Sequence, residues 1–384
     1  LSVIGVLLIF AMSVTTNDVN ELEVVTKRSN KFAIDFYQAL KKPNENLIVS
    51  PISVQLVLAL VYTGAGGNTA TEIAKVLHLS DNIEDVLKGH KLLLEHLENP
   101  ALNLATKIFI EKTLNVKPEF QDRASKYFGS KACLVNFVAD PECSRKEINQ
   151  WVKKKTNNKI TDLLAKGAVD SSTRMLLTNA IHFKANWDKQ FSNSWTRDGD
   201  FHITSDNKVK VKMMFQSDRF PFKHHPELKA KILELPYENK EFKMIIILPD
   251  EIDGLTEVEN KLSTVNLAEI LLSLRTVSTS IQLPKFKTEK TMELKETLTQ
   301  LGIKDLFDQS AANLTGIADH LFANSAIQKT SIEVNEEGTE ASGATVIASM
   351  DLSLSLENFV ADHPFLYLIY RDDQILYLGR FAVV

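Results

Sequence analysis

Apolar residues recur at helical spacing through much of the first half of the chain, as amphipathic helices require. Ser50 before Pro51 is typical of an N-cap followed by proline at the first helical position. Thr69, with Glu72 three residues later, resembles a capping box at the start of a short helix. The pattern predicts further helices at 19–40, 51–61 and 82–97, after Pro118, at 142–157, and twice within 255–274.

Short strand-like segments dominate the rest of the chain. The run 174–183 is apolar almost throughout, which is expected of a strand buried on both faces. Helices followed by mostly antiparallel strands, without an internal repeat or linker, predict one α+β domain over 17–384. The predicted strands are 102–110, 133–138, 174–183, 201–204, 209–214, 231–236, 243–248, 277–286, 326–335, 364–370 and 375–382.

Composition narrows the class of protein. The 384 residues are 44% hydrophobic and 24% charged, which excludes a disordered chain and leaves enough apolar material for a large core. A net charge of −5 gives no reason to expect a nucleic-acid partner. The two cysteines exclude a disulfide-dense scaffold and disfavour a cysteine-based zinc site. Cys133 and Cys143 are close in sequence, and whether they pair stays open.

The first residues have the character of a secretory leader. Leu1 to Ala11 carries no charge and is shorter than the about 20 apolar residues that span a bilayer. With a small-residue cleavage site ending at Ser13, it predicts a signal peptide over 1–13, the alternative being a buried N-terminal strand. Asn313 begins an N-glycosylation sequon. We expect a soluble, secreted glycoprotein without a membrane partner.

A polar segment follows the predicted strand 326–335, and it predicts an exposed loop over about 336–360. If this loop became extended, its alternate side chains would lie on opposite faces. Glu340, the one charged residue between Thr339 and Met350, would lie on the face that can stay in water. The loop could therefore enter a sheet without burying a charge. The other face would carry the uncharged residues Thr339, Ala341, Gly343, Thr345, Ile347 and Ser349.

The run from Glu336 to Ala341 resembles the hinge of the reactive-centre loop of serpins. The resemblance covers nearly the whole chain after the leader and includes several ordered motifs. These are Asn46–Ser53, Gly64–Ala65, Thr71–Ile73, Asn179–Lys184 with Trp187 and Phe191, Leu283–Phe286 and His363–Phe365.

The resemblance implies the serpin fold, with a large central, mostly antiparallel sheet, two smaller sheets and eight or nine helices. It implies a metastable suicide inhibitor of an extracellular serine protease, acting as a monomer. The protease cleaves the exposed loop and forms an acyl-enzyme, and the freed hinge then inserts into the central sheet. The implied hinge residues are Glu336, Glu337, Gly338, Thr339, Glu340, Ala341, Ser342, Gly343, Ala344 and Thr345.

The cleaved bond is predicted to within one residue. Family spacing counted forward from Glu336 places it at Leu352–Ser353, whereas counting back from Pro364 places it at Ser353–Leu354. We favour Leu352–Ser353 because the distance from the hinge is coupled to insertion. Leu352 suits the apolar primary pocket of a chymotrypsin-like or elastase-like protease.

Four other residues match family positions that control opening of the central sheet. Ser50, Ser53 and Asn179 match the shutter, although helix capping and ordinary buried hydrogen bonding would also explain them. Trp187 matches the breach above the shutter. Gln328 stands where many relatives have histidine, so this shutter keeps a hydrogen-bonding group but has no proton-linked switch.

Lys146, Lys153 and Lys154 lie on one polar face of the predicted helix 142–157. Because serpins are often activated by glycosaminoglycans, a polyanion such as heparin is a candidate activator here, although such charges usually mark only a solvated helix face and Glu147 interrupts this run. No other cofactor is implied. The residues His224 and His225 are interpreted as a surface turn, because no third metal ligand is evident.

Two rival functions remain. One is a serpin that binds or carries a ligand without inhibiting, which bulky, charged or proline residues in the hinge would favour. The other is a hydrolase on an unrelated fold. The sequence has no Gly-x-Ser-x-Gly elbow, His-Glu-x-x-His motif or Walker loop, and it nominates no catalytic residues and no metal site.

Overall fold

Two β-sheets organise the chain, and helices pack against them. The structure, a computed structural model, describes residues 16–238, 240–339 and 357–383. The helices in this part are α1 Thr16–Leu40, α2 Pro51–Tyr62, α3 Gly67–Val76, α4 Ile83–Leu97, α5 Pro118–Phe128, α6 Pro141–Lys155, α7 Leu255–Lys261, α8 Leu267–Leu272 and α9 Lys295–Leu301.

The strands alternate with the helices at first and then follow one another. They are β1 Leu47–Val49, β2 Leu102–Glu111, β3 Cys133–Val135, β4 Met175–Phe183, β5 Ala185–Asn186, β6 Arg197–Thr204, β7 Asn207–His225, β8 Ala230–Pro236, β9 Phe242–Pro249, β10 Arg275–Pro284, β11 Phe286–Glu293, β12 Ser325–Val334, β13 Gly338–Thr339, β14 Glu357–Val360, β15 Phe365–Arg371 and β16 Gln374–Phe381.

The seven-stranded sheet has the order β3-β2-β4-β12-β13-β5, and β11 pairs with β12 beside this path. At its centre β4 and β12 are parallel neighbours, from Ser325 opposite Leu176 to Ser331 opposite His182. All nine residues of β4 are buried, as its apolar sequence predicts. The sheet therefore has a fully buried central strand beside β12, which leads into the polar segment that follows.

The second sheet has nine strands in the order β1-β16-β15-β9-β8-β7-β10-β14, with β6 on β7. The sequence resemblance implied two smaller sheets. In the described residues their strands form one hydrogen-bonded network, because β7 is 19 residues long. Its start pairs with β6, its middle with β10 and its end with β8. One long strand thus joins what would otherwise be separate sheets.

Helix α2 lies beneath the seven-stranded sheet and is apolar on all sides. Every residue from Pro51 to Val61 is buried, which explains why the sequence shows a continuous apolar run there. Among the described residues, no helix combines the length and apolar character needed to cross a bilayer.

The predicted N-cap position of Ser50 before Pro51 is confirmed, whereas the capping box predicted at Thr69 is wrong. Ser50 is at the N-cap position of α2, but its hydroxyl donates to the Leu376 carbonyl at 2.9 Å and does not cap the helix. Helix α3 begins at Gly67, so Thr69 lies inside the helix, and its hydroxyl accepts from the Asn313 backbone amide. Both hydroxyls form hydrogen bonds with residues distant in sequence instead of with the helix N-terminus, because a buried hydroxyl needs a hydrogen-bond partner.

A buried ion pair connects the nine-stranded sheet to the helices. The guanidinium of Arg380 in β16 donates to both carboxylate oxygens of Glu259 in α7, at 3.0 and 3.2 Å. Tyr37 in α1 donates to the same carboxylate at 2.5 Å, and both charged side chains are at most 5% exposed. Burial and the neighbouring Glu259 carboxylate raise the pKa of Tyr37, so this hydroxyl stays a donor.

We predict that Arg380→Met lowers the free energy of unfolding by about 3–5 kcal/mol, because it removes the hydrogen-bonded cation of the buried Glu259 carboxylate and leaves only the Lys41 ammonium, 3.9 Å away. Urea denaturation measures this change. Lys290→Met is the matched control: Lys290 pairs with Glu45 at 3.3 Å on the surface, so its loss should cost less than about 1 kcal/mol. Equal losses in the two variants would contradict the role given to the buried pair.

Candidate functional site

The polar segment after β12 begins inside the seven-stranded sheet. Gly338 and Thr339 form β13, in which Thr339 lies opposite Val334 of β12 on one side and Ala185 of β5 on the other. Further down the sheet β4 and β12 pair directly. Strand β12 and the chain that continues from β4 into β5 therefore diverge at this end of the sheet, and β13 lies between them. Thr339 is fully buried there.

Gly338 is required here by close approach of the backbone. A Cβ atom at this position would lie 2.2 Å from the Ala185 carbonyl oxygen and 2.6 Å from the Cα of Asn186. Asn335 closes the turn that precedes it, because its side-chain oxygen accepts the backbone amides of Glu337 and Gly338 at 3.0 and 3.2 Å. Asparagine and glycine together thus turn the chain from β12 back into the sheet.

Glu336 anchors this turn through its side chain. Its carboxylate is 5% exposed, contacts the Lys285 ammonium at 2.7 Å and accepts from the Thr196 hydroxyl at 2.7 Å. Burial raises the pKa of Glu336, but the hydrogen bonds from Lys285 and Thr196 outweigh it and hold the pKa below its usual range. The Glu336 carbonyl also accepts from the Phe191 amide at 2.8 Å. A buried, charge-assisted contact therefore fixes the start of the segment.

Aromatic side chains cover the point of entry. Trp187 donates its indole N–H to the Asn335 carbonyl at 3.0 Å, and its ring stacks on Tyr237 with centroids 4.6 Å apart. The Tyr237 hydroxyl shares a 2.7 Å hydrogen bond with that of Thr339. Burial raises the pKa of Tyr237 far above its usual range, so the hydroxyl stays protonated. Trp187 thus binds the turn, and Tyr237 binds the first inserted residue.

A second polar cluster lies lower down, between β12 and the start of α2. The side-chain amide of Gln328 donates to the Ser50 carbonyl at 2.8 Å and to the Ser53 hydroxyl at 3.0 Å, and its oxygen accepts from the Ser50 amide at 3.1 Å. All three residues are fully buried. No group in this cluster titrates near neutral pH, so these hydrogen bonds do not depend on pH.

Asn179 lies directly opposite Gln328 on the neighbouring strand β4. It is fully buried, yet neither its side-chain oxygen nor its nitrogen has a hydrogen-bond partner among the described residues. Leaving a buried polar group unpaired costs about 1–3 kcal/mol. The closed sheet therefore carries an unfavourable group at the line along which β4 and β12 would separate.

Comparisons with known proteins agree with this geometry. A family model described as Serpin (serine protease inhibitor) matches residues 27–383. The chain belongs to the serpin family. It is 38% identical to the leukocyte elastase inhibitor of Equus caballus over 378 residues, covering 94% of this chain and 100% of the relative. The leukocyte elastase inhibitor of Homo sapiens shows the same identity and coverage.

Solved structures share the fold. Serpin48 of the insect Tenebrio molitor superposes with a TM-score of 0.85 at 33% identity, covering 94% of this chain and 98% of the other. Uncleaved ovalbumin superposes with a TM-score of 0.83 at 30% identity, covering 94% of this chain and 100% of the other. The predicted α+β serpin fold is confirmed, and the family to which the chain belongs is one of protease inhibitors.

The structure brings together most of the described site residues that the sequence nominates. Glu336, Glu337, Gly338 and Thr339 form the turn and the first inserted residues beside Trp187, while Ser50 and Ser53 share the Gln328 cluster with Asn179 opposite. Sequence reasoning missed Thr196 and Tyr237, and it named Lys285 only within the Leu283–Phe286 motif, because partners so distant in sequence leave no local signal of their contact. The hinge residues from Glu340 to Thr345 and the candidate cleavage residues Leu352, Ser353 and Leu354 lie outside the described residues.

The remaining nominated residues lie elsewhere. Lys146, Lys153 and Lys154 belong to α6, where Lys146 pairs with Glu142 at 3.7 Å; polyanion binding stays a prediction. Asn313 is half-buried, and its side-chain oxygen accepts from the Thr315 hydroxyl. Its glycosylation likewise stays a prediction.

The cysteines and the histidine pair have ordinary surroundings. Cys133 and Cys143 are both free in this serpin, and burial raises the pKa of the Cys133 thiol. His224 pairs with Asp250 at 2.9 Å, and strand β7 ends at His225. Within the described ranges, no group of at least three His, Cys, Asp or Glu side chains could hold a metal ion.

We predict that Asn179→Leu leaves the intact serpin as stable as the unmodified protein or makes it more stable, because it removes an unpaired buried amide. Asn149→Leu is the matched control. Asn149 is also buried, but its amide group donates to the Leu164 carbonyl and accepts from the Leu164 amide, so its loss should cost about 2–3 kcal/mol. Thermal denaturation measures both. Similar losses in the two variants would show that Asn179 is satisfied in solution.

We predict that Glu336→Gln destabilises the serpin by about 1–2 kcal/mol at neutral pH. Since folding depresses the pKa of Glu336, its contribution is present above the unfolded pKa of about 4.3 and is lost as the pH falls through the folded pKa. The difference between variant and unmodified protein should therefore shrink below about pH 4.

Urea denaturation at several pH values measures this difference. Glu333→Gln is the control, because Glu333 pairs with Lys287 at 3.3 Å on the exposed part of the adjoining strands. Its loss should cost less than about 1 kcal/mol at any pH. A Glu336→Gln penalty that persists unchanged in acid would contradict the ionic role of this carboxylate.

Proposed function

We propose that this serpin inhibits a serine protease as a suicide substrate. The protease cleaves the loop, forms an acyl-enzyme, and is trapped when the freed hinge inserts between β4 and β12. The observation that carries this proposal is that insertion has a starting point. Gly338 and Thr339 are already paired within the sheet, at the end where its two central strands diverge.

The register supports continuing this insertion. Thr339 lies opposite Val334 and Ala185. If the same antiparallel register is extended down the sheet, Thr345 falls between Gln328 on β12 and Asn179 on β4. These two residues face each other in the closed sheet. Insertion would thus bring a new strand, with a threonine hydroxyl and a backbone, to the point where the Asn179 amide lacks partners.

The energy of insertion suits such a mechanism. About a dozen residues would gain backbone hydrogen bonds worth about 1 kcal/mol each. Burial of their apolar groups would add about 0.8 kcal/mol per methylene. A total on the order of ten kcal/mol matches the stability of an ordinary domain. The intact protein is then metastable, and cleavage of the loop allows it to reach the more stable inserted form.

The side chains of the hinge also fit insertion rather than a purely binding role. Thr339 is buried at the entry, and the alternation that follows it puts uncharged residues on the same face, all of them small or short except Ile347. Glu340 falls on the opposite face. A binding or carrier serpin would tolerate bulky or charged residues on the inserting face, and this hinge has none.

We infer an elastase-like or chymotrypsin-like target, cleaved at Leu352–Ser353, with Ser353–Leu354 as the alternative bond. Two of the relatives are named leukocyte elastase inhibitor, and Leu352 suits an apolar primary pocket. We further propose that the protein is secreted, because residues 1–13 have the character of a signal peptide and Asn313 that of a glycosylation site. Export from secretory cells with cleavage after Ser13 would support this, and retention with residues 1–13 intact would contradict it.

The inhibitory mechanism is tested by placing a charge on each face of the hinge. Thr345→Arg lies on the same face as Thr339 and must bury a guanidinium for the hinge to insert, so the loop should be cleaved without trapping the protease, and the number of inhibitor molecules consumed per protease should rise about tenfold or more. Glu340→Arg is the control, and it should inhibit nearly as well as the unmodified serpin. Detergent-resistant complexes with neutrophil-type elastase and with chymotrypsin measure both.

Two results would contradict the proposal. The unmodified serpin would be cleaved by every tested serine protease without forming a detergent-resistant complex, or both arginine variants would inhibit equally well. Mass spectrometry of the peptide released from a trapped complex decides between the two candidate bonds.

A further inference from the structure

A groove separate from the hinge runs between helices α2, α4, α5 and α6 and strand β2. Its main cavity has a volume of about 410 Å³. An adjoining cavity of about 360 Å³ shares lining residues with it, so the two form one elongated groove. Both volumes lie within the range of small-molecule sites. The apolar lining of the main cavity is Leu56, Val57, Leu60, Leu94, Leu104 and Phe128.

One end of this groove is positively charged. Lys107, Lys131 and Lys155 line the main cavity, and none of the three has an ion pair among the described residues. The Lys107 ammonium lies 5.0 Å from the centre of the Trp151 ring, which also lines the cavity. Lys131 and Lys155 are exposed. These ammonium groups are therefore available to an anion.

The opposite end of the groove has a different character. It is lined by Glu95 and Glu98 as well as by Lys91 and Lys126, and Glu95 pairs with Lys91 at 3.6 Å. Positive and negative charges are balanced there, so only the end formed by Lys107, Lys131 and Lys155 selects for an anion. Thr106 lines the main cavity, the one that contains these three lysines. Its hydroxyl is buried without a hydrogen-bond partner in the described part of the chain.

We propose that this groove binds a single-chain amphiphile with a carboxylate head, such as a fatty acid anion. The hydrocarbon chain lies along the leucines and Phe128, where each buried methylene contributes about 0.8 kcal/mol. The carboxylate lies among the three lysines, and the Thr106 hydroxyl donates to it. The groove thus provides the two features that such a ligand needs: an apolar channel and a cationic mouth at one end.

The test is isothermal titration calorimetry of the full chain with dodecanoate below its micelle concentration. We expect saturable binding at one site. The double variant Lys131→Gln/Lys155→Gln should weaken it about tenfold, since each lysine supplies a charge-assisted contact. Lys154→Gln removes an exposed neighbouring lysine that does not line the cavity, and it should bind like the unmodified protein. Leu104→Trp should abolish binding by filling the channel.

Ligand variants separate the head from the chain. Acetate should not bind measurably, because it lacks the chain, and dodecyltrimethylammonium should bind at least about tenfold more weakly, because its charge is reversed. The proposal is overturned if dodecanoate shows no saturable binding, if the double lysine variant binds as tightly as Lys154→Gln, or if the cationic amphiphile binds equally well. Thermal denaturation confirms that each variant is folded. None of these outcomes depends on protease inhibition.

Discussion

The contact between β4 and β12 governs the rest of the structure. These strands pair directly along most of their length and separate only where Gly338 and Thr339 enter. The closed pairing is incomplete in one respect, because the buried amide of Asn179 has no partner in the described residues. On the neighbouring strand Gln328 is fully engaged with Ser50 and Ser53. Between these two strands, the polar group on β12 is thus hydrogen-bonded and the one on β4 is not, which suits the opening of the sheet that we propose.

The entry to this seam is held by contacts of a different kind. The buried Glu336 carboxylate is held by the exposed Lys285 ammonium, and Trp187 binds the turn through the Asn335 carbonyl. These contacts keep the hinge at the mouth of the sheet while the loop beyond it is intact. In the proposed mechanism, the polar contacts of Glu336 and Trp187 hold the start of the hinge in place. The small side chains of the hinge and their matching register then allow insertion to continue down the sheet.

The sequence predicts most of the fold, because its apolar periodicity reflects burial directly. The continuous apolar runs of α2 and β4 are buried on all sides, as their patterns require. Strand β11 is not predicted, because its apolar alternation is weak and interrupted by charged residues. Strand β7 is longer than predicted because it pairs in turn with the three strands β6, β10 and β8. The hinge motif locates the entry point, but Lys285 and Tyr237 are identified only once folding brings distant segments together. The groove that ends at Lys131 and Lys155 is likewise assembled from four helices and a strand, so no local pattern marks it.

The most direct test of the central claim is to compare the thermal unfolding of the intact serpin with that of the protein cleaved at a single bond within the loop. If the freed segment enters between β4 and β12, the gain on the order of ten kcal/mol should raise the unfolding midpoint by about 10 °C or more. An unchanged midpoint, with the new chain end still accessible to proteases, would contradict the account.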